Sequence, residues 1–545
     1  MTMRRPNGWR RRKSAFAGCA AIALAVTMGA ALPAAAQDVP VQRLVIAVDP
    51  PAGDTNLFWA TSADVTMFPA LPRLVGNDPV TGEYNDDGLA ESWEASEDFS
   101  EWTFKLHEGV PWHFGYGEVT AHDVVHSYDL NVHDQSVQSG VGQLKGAKVE
   151  ALDDHTVKFT FDGPRVGFLF SVASRGSMLI YSKAQFDAEG IEGYQRRPAG
   201  TGHYRYVERL PGEKLVFERV ENHWSGEDAA FPELEFRWAP EPATKLALLL
   251  SGEAHISDLP RELQGDAVAQ GMKVIGSLNP SMQVTGMLDG LYLKSGDPAA
   301  RPDLPWADIR VREAMNRALN REELIEILYD GRADRLVRYG MDPRHEGYVP
   351  ELEERFDEMY GYDPERAKEL LAEAGYPDAF PDPVIPIISS VLQGNPEFGT
   401  MAELFQVYFE EIGLQTEIRE MDWASLGALG RGRESYTVHP IRNAPIRPTE
   451  VHLINSYTAE GSQFHGFEND EIQAMIDELV ATVDPEERDR IAAEAFTYLF
   501  EQYSDMPIAA LRAEMTVNPE VVADWPFPGV TTAGMSHWHL IEPAR

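Results

Sequence analysis

The stretch Pro440-Ile-Arg-Asn-Ala-Pro-Ile-Arg-Pro-Thr-Glu450 sets two arginines, Arg442 and Arg447, close together, with Asn443 beside the first. A guanidinium presents paired N–H groups that match the two oxygens of a carboxylate or phosphate. Arg442, Asn443 and Arg447 can therefore hold an anionic or polyhydroxylated solute. The competing use of these arginines is to pair with surface acids, which are abundant: 87 Asp and Glu stand against 47 Lys and Arg.

Other chemistry has weaker support. His537-Trp-His539 would set two imidazoles on one face of a strand. His439, His452 and His465 are further candidates for nickel or zinc. No His-Glu-x-x-His helix or cysteine cluster accompanies them, so no metal and no other cofactor is expected. Nucleophile elbows, P-loops and Gly-x-Gly-x-x-Gly turns are missing from the sequence. A secreted glycosidase would need two carboxyls flanking a bond, but in so acidic a chain paired carboxylates discriminate nothing. These absences argue against catalysis and leave a secreted hydrolase as the remote alternative.

The compartment is read from the first 36 residues. Arg4, Arg5, Arg10, Arg11, Arg12 and Lys13 precede an apolar run, Ala15 to Leu32, and Ala34-Ala35-Ala36 follows. This is the pattern of a cleavable secretory signal over residues 1–36; an uncleaved membrane anchor is the alternative. Phe16-Ala17-Gly18-Cys19 has the look of a lipoprotein box, but Cys19 comes before most of the apolar run. Removing six cations and no anion takes the formal charge from −40 to −46. So negative a chain repels nucleic acid and anionic membrane surfaces alike. The lone cysteine lies inside the signal, so the remainder must be stabilised by ordinary cores rather than disulfides. Leu246 to Leu250 is far too short to span a bilayer.

The elements that must position the arginines are legible from pattern. Arg43–Val48 reads as a buried strand, and Trp102–Leu106, His155–Phe161 and Lys214–Glu218 as half-exposed strands. Thr244–Leu250 reads as a helix stopped by Ser251-Gly252. From about residue 306 helices dominate. Asp308 opens one, and Asn320 caps another over 321–328, with Glu323 suited to a capping box. Asp363-Pro364-Glu365 and Asp484-Pro485-Glu486 each combine a cap with proline in the first helical position. The character of the chain changes near 282–293 and again near 506–517. A chain that leaves one lobe, builds another and returns makes a two-stranded hinge, which permits closure around a ligand.

Several segments carry a family resemblance. Leu89-Ala-Glu-Ser-Trp-Glu94 and Trp102-Thr-Phe-Lys-Leu-His-Glu-Gly-Val110 come first, then Pro198-Ala-Gly-Thr-Gly-His-Tyr204 and Glu221-Asn-His-Trp224. In the second half they are Asp308-Ile-Arg-Val-Arg-Glu-Ala-Met-Asn-Arg-Ala-Leu319, Tyr362-Asp-Pro-Glu-Arg-Ala-Lys-Glu-Leu-Leu-Ala-Glu-Ala-Gly-Tyr-Pro377 and Gly466-Phe-Glu-Asn-Asp-Glu471. Together they resemble the extracytoplasmic solute-binding proteins of the oligopeptide, dipeptide and nickel class (family 5), which feed ABC importers.

The resemblance implies an α/β, two-lobed periplasmic-binding-protein fold of type II, cluster C-like. The first lobe would span 37–284 with an inserted subdomain at about 80–200, the second 285–512, and 513–545 would return to the first. It implies a monomer that captures a peptide or similar small solute and delivers it to ABC permease subunits and their ATPases. An oligosaccharide, an opine-like or other anionic solute, or a nickel chelate are the alternatives. Trp93, Trp102, Trp112 and Trp224 belong to structural motifs and are expected in cores. Trp59 and Phe464, with His465, fall in loops that face the cleft in this family, where flat rings suit apolar faces of a solute. Ser390 and Gln393 are expected as hydrogen-bonding wall residues. In peptide binders of the family an aspartate meets the peptide's free amino group; here Arg447 takes that place, with Arg442 close by, which points away from ordinary capture by the amino end.

Overall fold

The computed structural model describes residues 39–51, 55–57, 65–133, 136, 144–173, 178–390, 392, 395, 397–443, 447–458, 466–526 and 536–545. Arg43–Val48 is a strand whose Leu44, Ile46 and Val48 are wholly buried. It runs parallel to Glu233–Trp238 on one side and Ile256–Ser257 on the other. A near-continuous apolar run suits such an interior position, covered on both faces. The sheet has seven strands, in the order 273–276, 514–517, 256–257, 43–48, 233–238, 214–219, 204–210. A four-stranded antiparallel sheet (90–95, 101–106, 156–160, 148–153) packs its own core around Trp102, Phe104, Trp112 and Phe159. Trp93 and Trp224 pack against that core, as expected of structural tryptophans.

The second large sheet has six strands: 334–335, 505–511, 282–288, 438–443, 384–389 and 415–420. Four of these, 334–335, 384–389, 415–420 and 438–443, lie in the part of the chain that reads as mainly helical. Gln415–Glu420 is an edge strand with little apolar content, and Val438–Asn443 hides behind Pro440, Arg442 and Asn443. Neither shows the alternation that marks a strand in sequence. The helix caps behave as their chemistry dictates. Asn320, Asp363 and Asp484 accept the N–H groups of Glu323, Arg366 and Glu487. The reciprocal half of the expected box at Asn320 does not form, because the Glu323 carboxylate instead accepts the Tyr408 hydroxyl at 2.8 Å. His537–His539 is also not a strand: Trp538–Leu540 is a short 3-10 turn entered through His537 at φ 55°. Among the described residues no helix is long and apolar enough to cross a membrane.

The hydrophobic core of the six-stranded sheet draws only on residues from Met282 to Leu511. The core of the seven-stranded sheet draws on residues before 276 and after 512. The chain crosses between them twice, at 277–281 and 512–513. The crossings are bonded to each other. Ser277 and Ser281 donate their N–H groups to the carbonyls of Ala513 and Leu511 at 2.9 and 2.8 Å. The Ala513 N–H donates to the Ser281 and Ser277 hydroxyls at 2.9 and 3.1 Å.

One polar network fixes the second lobe. Arg338, fully buried, meets Asp505 at 2.5 Å and donates to the Tyr457 hydroxyl at 2.6 Å. Thr285 donates to the other Asp505 oxygen at 2.8 Å. Removing one partner of a buried pair leaves a charge without compensation, at a cost of about 3–5 kcal/mol. Arg338→Leu should therefore lower the unfolding free energy by about that amount in urea denaturation; an unchanged midpoint would mean that hydroxyl donors alone satisfy Asp505.

Candidate functional site

The strand directions decide which sheet edges face each other. In the second lobe Met282 pairs with Leu511, and Gln283 with Asn443. Strand 384–389 runs parallel to 438–443. The carboxyl ends of 384–389 and 438–443 thus lie at the edge where the chain leaves for the first lobe. In the first lobe Ala47 pairs with Ser257, and Ser257 with Thr516. The carboxyl ends of 43–48 and 256–257 therefore point toward Glu514 and the crossing. Ligands in open α/β sheets bind outside the carboxyl ends of strands, and here two such edges confront each other.

The edge of the second lobe holds Ser390, Asn443, Arg442 and, just beyond the strand, Arg447. Asn443 is 2% exposed and neither atom of its side-chain amide has a partner. Ser390, also 2% exposed, leaves its hydroxyl without one. Asn395 donates to the Met282 sulfur at 2.9 Å, but its carbonyl oxygen is unpartnered. Arg447 is half-buried, its Nε has no partner, and no described carboxylate pairs with it. Among the described residues, then, Arg447 is not used to pair with a surface acid. Such a row is unusual, since buried polar groups are nearly always bonded to protein or water.

The two arginines are close enough to feel each other. Burial pushes the Arg442 guanidinium down to about 10, and the charge of Arg447 adds a smaller push. Arg447 is lowered by burial as well. Both remain cationic at neutral pH. Tyr339 stands against them, its hydroxyl raised by burial and drawn back by the two positive charges. Arg447 also leads directly into helix Thr449–Tyr457, whose N-cap Pro448 supplies no side-chain cap. A helix N-terminus favours negative charge nearby. The facing edge of the first lobe is different. Lys245, 4% exposed, bridges Asp49 and Asp258 at 2.8 Å each. Burial pushes Asp258 up to about 6, against the pull of Lys245.

Of the residues expected to meet a solute, Ser390, Arg442, Asn443 and Arg447 lie together on one edge. Trp59, Gln393, Phe464 and His465 fall outside the described residues. Asn395, Tyr339 and the Asp49–Lys245–Asp258 group were not anticipated. Asn395 had a signal, being polar and two residues past Gln393 in the same loop. His439 and His452, candidates for a metal, are wholly buried. His439 packs near Trp423, and His452 among Tyr339, Tyr457 and Phe496. Gly340 makes room for the His452 ring, since a Cβ there would lie 1.9 Å from it. No group of three or more His, Cys, Asp or Glu among the described residues could hold a metal ion.

The lobes touch away from the crossings as well. Gly167, in the loop after strand 156–160, sits against Val451 and Pro448. Beside the crossings Arg332 donates to Gln264 at 2.7 Å and Glu514 at 3.2 Å.

Comparison with known proteins agrees with this architecture. Residues 87–442 match the family model described as bacterial extracellular solute-binding proteins, family 5, middle. Heme-binding protein A of Haemophilus influenzae is 27% identical over 80% of this chain and 81% of its own length. The dipeptide-binding protein of Escherichia coli K12 is 28% identical, covering 69% and 71%. The structure of AgaA from A. tumefaciens R10 in complex with agropinic acid superposes with a TM-score of 0.73 at 20% identity, covering 92% of this chain and 98% of that one. The fold is that of the type II periplasmic binding proteins, and the family consists of transport proteins rather than enzymes. Two separate cores joined by two crossings thus have a family to which they belong: the chain is a member of the bacterial extracellular solute-binding proteins, family 5.

Proposed function

We propose that this chain is the capture component of an ABC importer, exported by a cleavable leader over residues 1–36, and that it takes a small carboxylate-bearing solute between its lobes. The observation that carries this reading is the row of buried, unpartnered polar groups on Ser390, Asn395, Asn443 and Arg447. A carboxylate on the Arg447 fork, with amide or hydroxyl groups on Asn443, Asn395 and Ser390, would complete their hydrogen bonds. Residues 37–284 with 513–545 would form one jaw and 285–512 the other. The permease would then read the closed pair.

A peptide held by its acid end is the class-level reading, in keeping with the dipeptide-binding relative. The position of Arg447, in place of the aspartate expected to meet a free amine, favours a second: an acidic, opine-like conjugate of the kind that AgaA holds. The solute needs only to bind the closed arrangement better than the open one. Native mass spectrometry of the protein purified from its own host should reveal the solute bound intact. Recovery of a cleaved product instead would overturn the carrier reading.

Hydrogen bonds to charged groups contribute about 1.5–3 kcal/mol, so Arg447→Asp should weaken binding of that solute on the order of 10- to 100-fold. Unchanged affinity by calorimetry would remove Arg447 from the site. Asn443→Leu has a two-sided signature. It removes a buried amide that lacks partners, so the empty protein should gain about 1 kcal/mol in thermal unfolding while solute affinity falls. A loss on both counts would make Asn443 a structural residue. Bulk at Gly167 should hold the lobes apart: Gly167→Phe should melt like the parent, yet fail to contract in small-angle scattering when solute is added. Contraction equal to the parent's would mean that closure does not pass through that contact.

A further inference from the structure

Three imidazoles stand face to face at one corner of the first lobe. The His203 ring lies 3.8 Å from that of His223 at 24° and 3.7 Å from that of His539 with the planes parallel. His537 follows, 6.0 Å from His539. His113 completes the group, close enough to His223 to be affected by its charge. These rings come from four separate parts of the chain: the turn at 113–115, the approach to strand 204–210, the turn after strand 214–219, and the C-terminal segment 536–545.

Hydrogen bonds knit the corner. His113 and His223 donate through Nε2 to the carbonyls of Gly202 and Thr201, at 3.0 and 2.8 Å. His537 donates through Nε2 to the carbonyl of Asn77 at 3.0 Å. Between the two C-terminal histidines, Trp538 is 2% exposed and packs on Trp525 and Phe236. The segment also contributes the short strand Glu542–Pro543, paired to Val522–Asp524. The column is thus part of what docks the C-terminus.

Neutral imidazoles stack comfortably, but imidazolium ions at these separations repel. The surrounding charges make protonation harder still. Arg73 acts on His537 and His539, and Arg205 on His113. The opposing carboxylate is Asp228, which affects His203 and His223 but already accepts the N–H groups of His223 and Asn222. Glu227, Glu542 and Arg545 line the open hollow beside His539. Burial is the leading cause of a lowered proton affinity in all five rings: His113 to about 4, His537 and His539 to about 3, His203 to about 2, and His223 downward.

We propose that this imidazole column is an acid-operated clasp: neutral, it holds segment 536–545 against the first lobe, and protonated, it lets that segment go. The direction follows from linkage. A histidine whose docked proton affinity lies below its free value gains protons on release, so the clasp is whole above about pH 6.5 and weakens as pH falls below it. Each such ring favours release about tenfold per pH unit in that window, and several acting together make the response steep.

Hydrogen exchange of the full chain, read by mass spectrometry and corrected for the intrinsic effect of pH, tests this. Protection of 536–545 should fall at least about a hundredfold between pH 7 and pH 5, while strand 282–288 keeps its protection. The pair His203→Phe and His539→Phe keeps flat rings in the stack and removes two titrating groups, so it should blunt that fall tenfold or more. Unchanged protection of 536–545 down to pH 5, or an equal fall in the double variant, would overturn the clasp. Should the double variant not fold, the ring titrations of the parent protein by NMR decide. Values for His203 and His539 near 6.5 would sink the proposal, and values below 5 would support it.

Discussion

The chain passes between its two main sheets only through 277–281 and 512–513, and those passages are bonded to each other by backbone groups and two serine hydroxyls. Each lobe buries its own hydrophobic core, so relative rotation about the crossings breaks neither. Points near the axis of such a rotation move little, and points far from it move most. Strand 438–443 is bonded to 282–288, which emerges from one crossing, so Arg442 and Asn443 lie close to the axis. Gly167 meets Val451 and Pro448 away from the crossings. In the proposed closure the polar groups at this edge would therefore stay nearly stationary while the large motion falls elsewhere.

The unpartnered groups at that edge also say something about the empty protein. In an open cleft water can complete the hydrogen bonds of Asn443, Ser390 and Asn395. Closure without a solute or trapped water would strand them, at roughly 1–3 kcal/mol for each buried group left unmade. Closure with a matching solute carries no such penalty. If these side chains recognise the guest as proposed, they also oppose empty closure, which is the differential affinity that a two-state carrier requires. Arg338, Asp505 and Tyr457 are bonded to one another within the second lobe and brace it from inside.

How far the sequence anticipates this structure depends on the kind of residue. Caps such as Asp363 and Asp484 are local, because an aspartate followed by proline fixes a helix start whatever surrounds it. Arg43–Val48 is legible because a strand buried on both faces must be apolar throughout. Val438–Asn443 is not, because Pro440 and the polar Arg442 and Asn443 interrupt the apolar pattern that marks a strand. Glu323 satisfies a capping rule in sequence but is taken by Tyr408, a partner 85 positions away. The Asp49–Lys245–Asp258 group and the histidine column share that difficulty, since each joins residues distant in the chain. Arg442, Asn443 and Arg447 are singled out in the sequence by chemistry and resemblance together. That they share an edge with Ser390 follows only from strand direction, which the residues themselves do not declare.

Charge poses a last physical question for the proposed capture of a carboxylate-bearing solute, since the chain's own formal charge is −40, and −46 once residues 1–36 are removed. At about 0.15 M salt the Debye length is roughly 8 Å, so the surface acids act on a solute only at short range. They still oppose its approach, and long-range steering cannot supply the on-rate. Recognition must then be decided inside the cleft, where water is scarce and a charge acts over a short distance with greater force. Burial already draws down the proton affinities of Arg442 and Arg447, which is the mark of cations held in a poorly solvated place. An incoming carboxylate would offset the push of Arg447 on Arg442 as well as forming its own bonds. Under the proposed reading an acidic exterior and a basic recess would work together: the first keeps the carrier dispersed, and the second reserves the binding energy for a solute that has entered.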